Sequence, residues 1–183
     1  HQGIAHILQN NFKAAEESLT LALQLEPGMS CLYCNFAMLS LALGDPERGL
    51  QWLLRLKDSL VTSELVPLNW GLCLFALKRY SEALDKFKQA LAINSDNKLI
   101  HLNIGDVYAA LNNYELAMTY WASASTMGFL FNLVQRRIIH VCEEDPSFDR
   151  WIKPFDGAFF KDKGIALVTS LESKEKDNDH LRV

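Results

Sequence analysis

The strongest constraint on this chain is a sequence that resembles itself at one fixed period without a gap. Two successive units share small and aromatic landmarks: Gly71, Tyr80, Ala83, Phe87 and Ala90, then Gly105, Tyr114, Ala117, Trp121 and Ala124. The period is thus the spacing from Gly71 to Gly105. A weaker form of the pattern precedes them: Ala37, Gly49, Leu53 and Leu56, and before these Gly3, Phe12, Ala15, Leu19 and Ala22. Self-similarity at such a period predicts an array of stacked helical hairpins, in which each unit buries its apolar side against the next.

Within each unit, two amphipathic stretches flank a pair of turn-forming residues. These pairs occupy the same two positions of the unit: Asn10-Asn11, Gly44-Asp45, Lys78-Arg79 and Asn112-Asn113. Pro46 follows one pair at the first helical position, where its missing N–H has no helical partner to lose. The sequence therefore predicts a helix, a tight turn and a second helix in every unit.

The pattern resembles the tetratricopeptide repeat (TPR) family. The shared features are the period, a small residue at the eighth position, Ala at the twentieth and twenty-seventh positions and an aromatic residue at the twenty-fourth. The resemblance covers residues 1–131 and is strongest in 64–97 and 98–131, whereas Gly49 and Leu56 replace Ala in the unit before. The resemblance implies an all-α fold, a right-handed superhelical solenoid. It also implies a binding function, because the members of this family mostly hold other proteins.

The resemblance divides the chain into three parts. We predict an array over 1–131, made of a partial unit 1–29 and full units 30–63, 64–97 and 98–131. After Gly128 the register fails, because Ile139 and Trp151 stand where small residues are expected and only Ala158 fits. Residues 129–142 keep the apolar stripe of a helix, so we expect a divergent helical cap over 132–170. The tail 171–183 is charged and poor in apolar residues, which predicts disorder.

Charge and hydropathy narrow the function classes. The net charge of −4 gives no electrostatic reason to bind nucleic acid. No run approaches the roughly 18 apolar residues that a membrane-spanning helix needs, so we expect no membrane insertion. Four cysteines in 183 residues do not form the disulfide framework of a secreted domain. We therefore expect a cytoplasmic location.

The chain begins at His1, without an initiator Met, and this residue falls at the sixth position of its unit, in the middle of a first helix. We therefore expect the sequence to be a piece of a longer protein, with any targeting signal outside it. A repeat array opened in this way could also assemble through its N-terminal end.

One face of the first helices is the predicted binding site. At about 100° per residue, the second, sixth, ninth and thirteenth positions lie opposite the small eighth residue, which marks the packing side. By resemblance to TPR arrays, this opposite face lines the concave groove. The residues that we expect to bind a peptide there are Asn35, Asn69, Asn103, Met38, Leu65, Leu72, Leu99 and Asp106.

Asparagine recurs at the sixth position of three units, as Asn35, Asn69 and Asn103. An Asn side chain both donates and accepts hydrogen bonds, so a row of them could hold the main chain of an extended peptide. Some TPR proteins use such a ladder, which requires all three residues to face away from the core. The alternative is that each Asn simply bonds a neighbouring helix.

Reactive chemistry is not indicated. Cys31 and Cys34 lie on one helix face, but a structural zinc site needs four ligands and no second pair completes it. We expect no catalytic residue, no metal and no cofactor. The predicted groove also lacks the Lys or Arg that grips an acidic chaperone tail, and Asp106 would repel a carboxylate.

We therefore predict a protein–protein interaction module, such as an adaptor, a scaffold or a co-chaperone, that binds an apolar or mixed peptide segment. The alternative is the substrate-recruiting region of a larger protein-modifying enzyme. A catalytic domain elsewhere in the full-length sequence would separate the two hypotheses.

Overall fold

The protein is all-α throughout the ranges that its computed structural model describes. These are residues 11–56 and 63–124 and eight helical residues further on, here called the distal residues: Leu133, Val134, Arg136, Arg137, Ile138, His140, Val141 and Glu144. Seven helices are defined in the first two ranges: α1 Phe12–Leu25, α2 Ser30–Ala42, α3 Pro46–Leu53, α4 Leu65–Ala76, α5 Tyr80–Ile93, α6 Lys98–Ala110 and α7 Tyr114–Ala124. None of these helices is long and apolar enough to cross a membrane.

Several predictions concern residues outside these ranges. They are the helix expected before Asn10, the assembly expected at the N-terminal end, nearly all of the cap over 132–170 and the tail 171–183. The domain boundaries therefore stay predictions.

Three of the predicted turns are confirmed, and they share one backbone geometry. Gly44, Lys78 and Asn112, each one period apart, adopt left-handed φ angles of 76°, 59° and 58°. At Lys78 the N–H donates to the carbonyl of Phe75, and the following N–H of Arg79 donates to the carbonyl of Leu74, each at 2.9 Å. Equivalent bonds close the other two turns. Each first helix thus ends in a Schellman motif, which satisfies its last carbonyls and starts the second helix at a fixed angle.

The core consists of equivalent clusters between successive units. Between α4, α5 and α6 the buried side chains include Leu68, Ala83, Phe87, Ala90, Ile100, Ile104 and Val107. Moving each by one period gives Leu102, Ala117, Trp121, Ala124, Val134, Ile138 and Val141, which form the next cluster. The distal residues therefore pack on α7 as α6 packs on α5, and the array buries its apolar area one interface at a time.

Candidate interaction face

The candidate face is made of the residues at the second, sixth and ninth positions of the three full units. These residues lie on α2, α4 and α6, which are side by side with α4 in the middle. Its nine members are Cys31, Asn35, Met38, Leu65, Asn69, Leu72, Leu99, Asn103 and Asp106. On the opposite side of these helices, the residues at the eighth position of the units, Ala37, Gly71 and Gly105, are buried, which confirms the predicted packing side. Rigid hairpins thus hold one set of side chains against the core and present the other set.

Apolar side chains dominate the accessible part of this face. Met38, Leu65 and Leu99 expose 37%, 43% and 45% of their surface, and Leu72 is half-buried. Each of these three exposed side chains lies on a different helix of the face. Exposed apolar side chains on adjacent helices are candidates for contact with another molecule.

The three asparagines differ in what they bond. Nδ2 of Asn69 donates to the carbonyl of Leu65 at 2.7 Å, and Nδ2 of Asn103 donates to the carbonyl of Leu99 at 2.8 Å. Both bonds run to the residue four positions earlier in the same helix and not to a neighbouring helix, a local arrangement that competes with outside partners. Asn35 is half-buried and makes no such bond among the described residues.

The expectation that all three asparagines face away from the core is wrong for Asn69. This side chain is only 4% exposed, and its Oδ1 is buried without a hydrogen-bond partner in the described part of the chain. Leaving a buried acceptor unpaired costs about 1–3 kcal/mol. Asn35 and Asn103 are half-buried, whereas Asn69 is enclosed.

Asp106 is not the open, repelling carboxylate that the sequence suggested. Its Oδ1 accepts a hydrogen bond from Nε1 of Trp121 at 2.9 Å and from Nε of Arg137 at 2.5 Å. The Asp106 side chain is 15% exposed and that of Arg137 31% exposed. Burial raises the pKa of the Asp106 carboxyl above its ordinary value, although Arg137 and Trp121 both favour the charged form.

Arg137 was not identified from the sequence. It is distant from Asp106 in the chain, yet its side chain bonds Asp106 on this face. A signal was present, because the shift of one period that connects Asn69 to Asn103 leads from Asn103 to Arg137. It was obscured because Ile139 and Trp151 replace the small residues expected one period after Gly105 and Ala117.

The cysteines do not form a reactive centre in the described ranges. Cys31 is exposed, Cys34 and Cys73 are buried, and all three thiols are free. Burial raises the pKa of Cys34 and of Cys73 to about 12, so both remain protonated thiols and poor nucleophiles at neutral pH. No group of three or more His, Cys, Asp and Glu side chains among the described residues could hold a metal ion.

Comparisons with known proteins agree with the repeat architecture. The family described as TPR repeat matches residues 71–112. The human and mouse proteins named cell division cycle protein 16 homolog are each 27% identical to this chain in an alignment of 131 residues. The alignment covers 67% of this chain and 21% of each relative. The chain thus spans about a fifth of the length of these curated relatives.

Solved structures show the same fold. A crystal structure of MamA is 18% identical, has a TM-score of 0.65, and is matched over 96% of this chain and 98% of its own. Another MamA structure, from MSR-1, is 20% identical with a TM-score of 0.53 over 74% of each chain. The chain thus carries a tetratricopeptide repeat over residues 71–112, and its stacked hairpins have the fold of these structural neighbours.

Proposed function

We propose that this chain is an interaction module that holds a segment of a partner protein on the candidate face and performs no chemistry itself. The observation that carries the proposal is the exposure of Met38, Leu65 and Leu99 on three adjacent helices. Covering apolar surface stabilises a complex by about 25 cal/mol per Å² before the costs of association are subtracted. An adaptor, a scaffold and a co-chaperone all use a surface of this kind.

Polar contacts would orient the partner at two places. Asn103 uses one N–H on Leu99, which leaves its second N–H and its Oδ1 for the C=O and N–H of a bound main chain. Asn35 makes no such bond among the described residues, so both N–H groups and the Oδ1 of its amide are available. Between them, Asn69 is enclosed, so Leu65 and Leu72 supply apolar contact there. In this proposal the asparagines act at the two outer helices and not as a uniform ladder.

Charge favours an apolar or mixed segment. On α2, α4 and α6 the candidate face carries one charged residue, Asp106, and its carboxylate is already paired with Arg137. A partner segment therefore meets a nearly neutral surface, where apolar contact and main-chain hydrogen bonds decide affinity. We place the module in the cytoplasm as part of the same proposal, since Cys31, Cys34 and Cys73 are free thiols.

A comparative pull-down tests this function. The chain and its Leu65→Asp/Leu99→Asp variant are used as baits in cell extract, and the retained proteins are identified by mass spectrometry. The matched control is Leu21→Asp, because Leu21 is also an exposed leucine within a helix but lies on α1, away from the candidate face. Circular dichroism establishes that each bait is folded.

We expect the double variant to lose proteins that the chain and the Leu21→Asp control both retain. Equal retention by all three folded baits would show that binding occurs elsewhere and would overturn the proposal.

A further inference from the structure

The hydrogen bonds of the first helices extend the repeat beyond α7. The carbonyls of Leu65 and Leu99 each accept from the Asn four residues later, and both leucines occupy the second position of their unit. A shift of one period from Leu99 and Asn103 leads to Leu133 and Arg137. Nη1 of Arg137 donates to the carbonyl of Leu133 at 3.4 Å, a longer bond at the equivalent place.

Packing supports the same register. Val134 and Ile138 are fully buried against α7, in the places where Ile100 and Ile104 are buried against α5. Side chains that share the period, the same buried neighbours and the same local bond belong to one structural repeat. The distal residues therefore form the first helix of a fifth unit, and Leu133, Arg137 and His140 continue the candidate face by one row.

The other side of this fifth helix differs from the earlier ones. Its residue Arg136 is exposed, whereas the equivalent Cys34, Leu68 and Leu102 are buried by the helix that follows each of them. Among the described residues, the row of Leu133, Arg137 and His140 is the last row of the face.

Arg137 brings a guanidinium to a face that otherwise carries no Lys or Arg among the described residues. Its Nε is bonded to Asp106, while Nη2 has no hydrogen-bond partner in the described part of the chain. Because Asp106 is the more enclosed of the two, a ligand on the face meets the guanidinium before it meets the carboxylate. A planar guanidinium with unoccupied donors is well suited to a second carboxylate.

We propose that Arg137 determines specificity by donating hydrogen bonds to an acidic side chain near one end of the bound partner segment. This inference rests on the proposed function of the candidate face. Neighbouring helices lie about 8–10 Å apart, so Asn35 and Arg137 are separated by roughly 24–30 Å across three helix spacings. An extended chain rises about 3.3 Å per residue, so the segment between these two contacts is about seven to nine residues long.

The carboxylate comes from a side chain and not from a chain terminus. Capture of a terminal carboxylate needs several converging donors, and this row supplies one guanidinium that is already bonded to Asp106. Nε2 of His140 lies 3.4 Å from Oε1 of Glu144, so this side chain already has an acidic partner. One remaining donor group therefore fits a single Asp or Glu within a longer segment.

Selection from a phage-displayed library of random twelve-residue peptides tests the inference. Peptides displayed in this way have no free C-terminus, so they offer acidic side chains alone. Three baits are compared: the chain, its Asp106→Asn/Arg137→Gln variant and the matched control Arg136→Gln. The double variant removes both charges together and keeps an acceptor for the Trp121 indole, so that no buried carboxylate is left unpaired.

We expect the chain and the Arg136→Gln control to select apolar peptides with an Asp or Glu at a constant offset. The double variant should select apolar peptides without that acid. Apolar enrichment without an acidic position on the unchanged chain would overturn the role of Arg137 and leave the proposed function intact. No enrichment on the candidate face would overturn both.

A synthetic form of the best peptide, amidated at its C-terminus, provides a measurement that needs no protein variant. Replacing its acidic residue by the corresponding amide should weaken binding to the unchanged chain by about three- to tenfold, with a smaller difference at high salt. A loss below about twofold, or an equal loss on the Asp106→Asn/Arg137→Gln variant, would overturn the proposal. Restoring affinity by a free C-terminal carboxylate would assign the contact to a terminus and overturn it as well.

Discussion

Gly105 lies directly beneath the indole of Trp121, so closely that a Cβ on Gly105 would overlap Cδ1 of Trp121. Gly71 has the same relation to Phe87, where a Cβ would be 2.5 Å from Cε1 of the ring. In the unit before, Ala37 takes the place of glycine and the smaller Leu53 takes the place of the aromatic ring, and both are fully buried. The side chains at the eighth and twenty-fourth positions of a unit therefore have complementary sizes, because the two helices of a hairpin cross at this point.

This relation predicts the cost of adding one methyl group. Gly105→Ala should lower the free energy of unfolding by about 1–2 kcal/mol, because overpacking costs about 1–3 kcal/mol and better helix propensity returns up to about 1 kcal/mol. Urea denaturation provides the measurement. The matched control is Gly28→Ala, since a Cβ on Gly28 would meet nothing within 4 Å.

A second change should rescue the first. Gly105→Ala combined with Trp121→Leu reproduces the pairing that Ala37 and Leu53 make in the earlier unit. We expect the double variant to lose less free energy of unfolding than the two single variants lose in sum, since each change compensates for the altered size of the other side chain. If the two losses in the free energy of unfolding were strictly additive, the side-chain sizes at these two positions would not be coupled.

The turn residues predict a gain in stability. Lys78 adopts a left-handed φ of 59°, which strains a residue that carries a Cβ. Lys78→Gly should raise the free energy of unfolding by about 0.5–1 kcal/mol, and Gly44→Ala should lower it by a similar amount. A Cβ on Gly44 would meet nothing within 4 Å, so that loss would come from the backbone alone. Thermal unfolding of both variants checks the two opposite signs.

The buried carboxylate predicts a dependence of stability on pH. Burial raises the pKa of Asp106 in the folded chain above its ordinary value, so the folded state binds this proton more readily than the unfolded state. Its contribution to stability is then fully present below the ordinary aspartate pKa and is lost as pH rises through the folded value. The chain should therefore gain stability relative to Asp106→Asn as the pH falls from 7 toward 4.

Urea midpoints of both proteins, measured in parallel across that range, check this prediction. Other titrating groups, such as Glu64 with its lowered pKa, are common to both proteins and cancel in the difference. A difference that shrinks as the pH falls would show that the ion pair with Arg137 outweighs burial.

The asparagines predict unequal effects on binding. Replacing Asn35 and Asn103 together by Ala should weaken a captured partner by about tenfold or more, since each lost hydrogen bond contributes about 1 kcal/mol. Stability should change little, because both side chains are only half-buried. Asn69→Ala is the matched control and should leave affinity unchanged, because its amide is enclosed. An equal loss for Asn69→Ala would instead favour a uniform ladder.

The end of the repeat pattern shows why landmarks can mislead. Sequence reasoning followed the small eighth residue and the Ala residues of the second helix, and after Gly128 only one of these recurs, as Ala158. Those positions are small only where a second helix crosses the first closely. Val134 and Ile138 are buried at the third and seventh positions, which any first helix needs in order to pack on the preceding hairpin. They continue the register that the chosen landmarks lose.

The sequence alone determined the helices, their turns and the side of each helix that packs. These features depend on local preferences and on a period that can be read along the chain, as at Lys78 and Asn112. Only the tertiary structure decided which polar side chains are available. Asn69 and Asn103 hold the same place in their units, yet Asn69 is enclosed and Asn103 is half-open. Asp106 is neutralised by Arg137 from a different helix. Solvent access and ion pairing depend on neighbours distant in sequence, which the pattern within one helix does not contain.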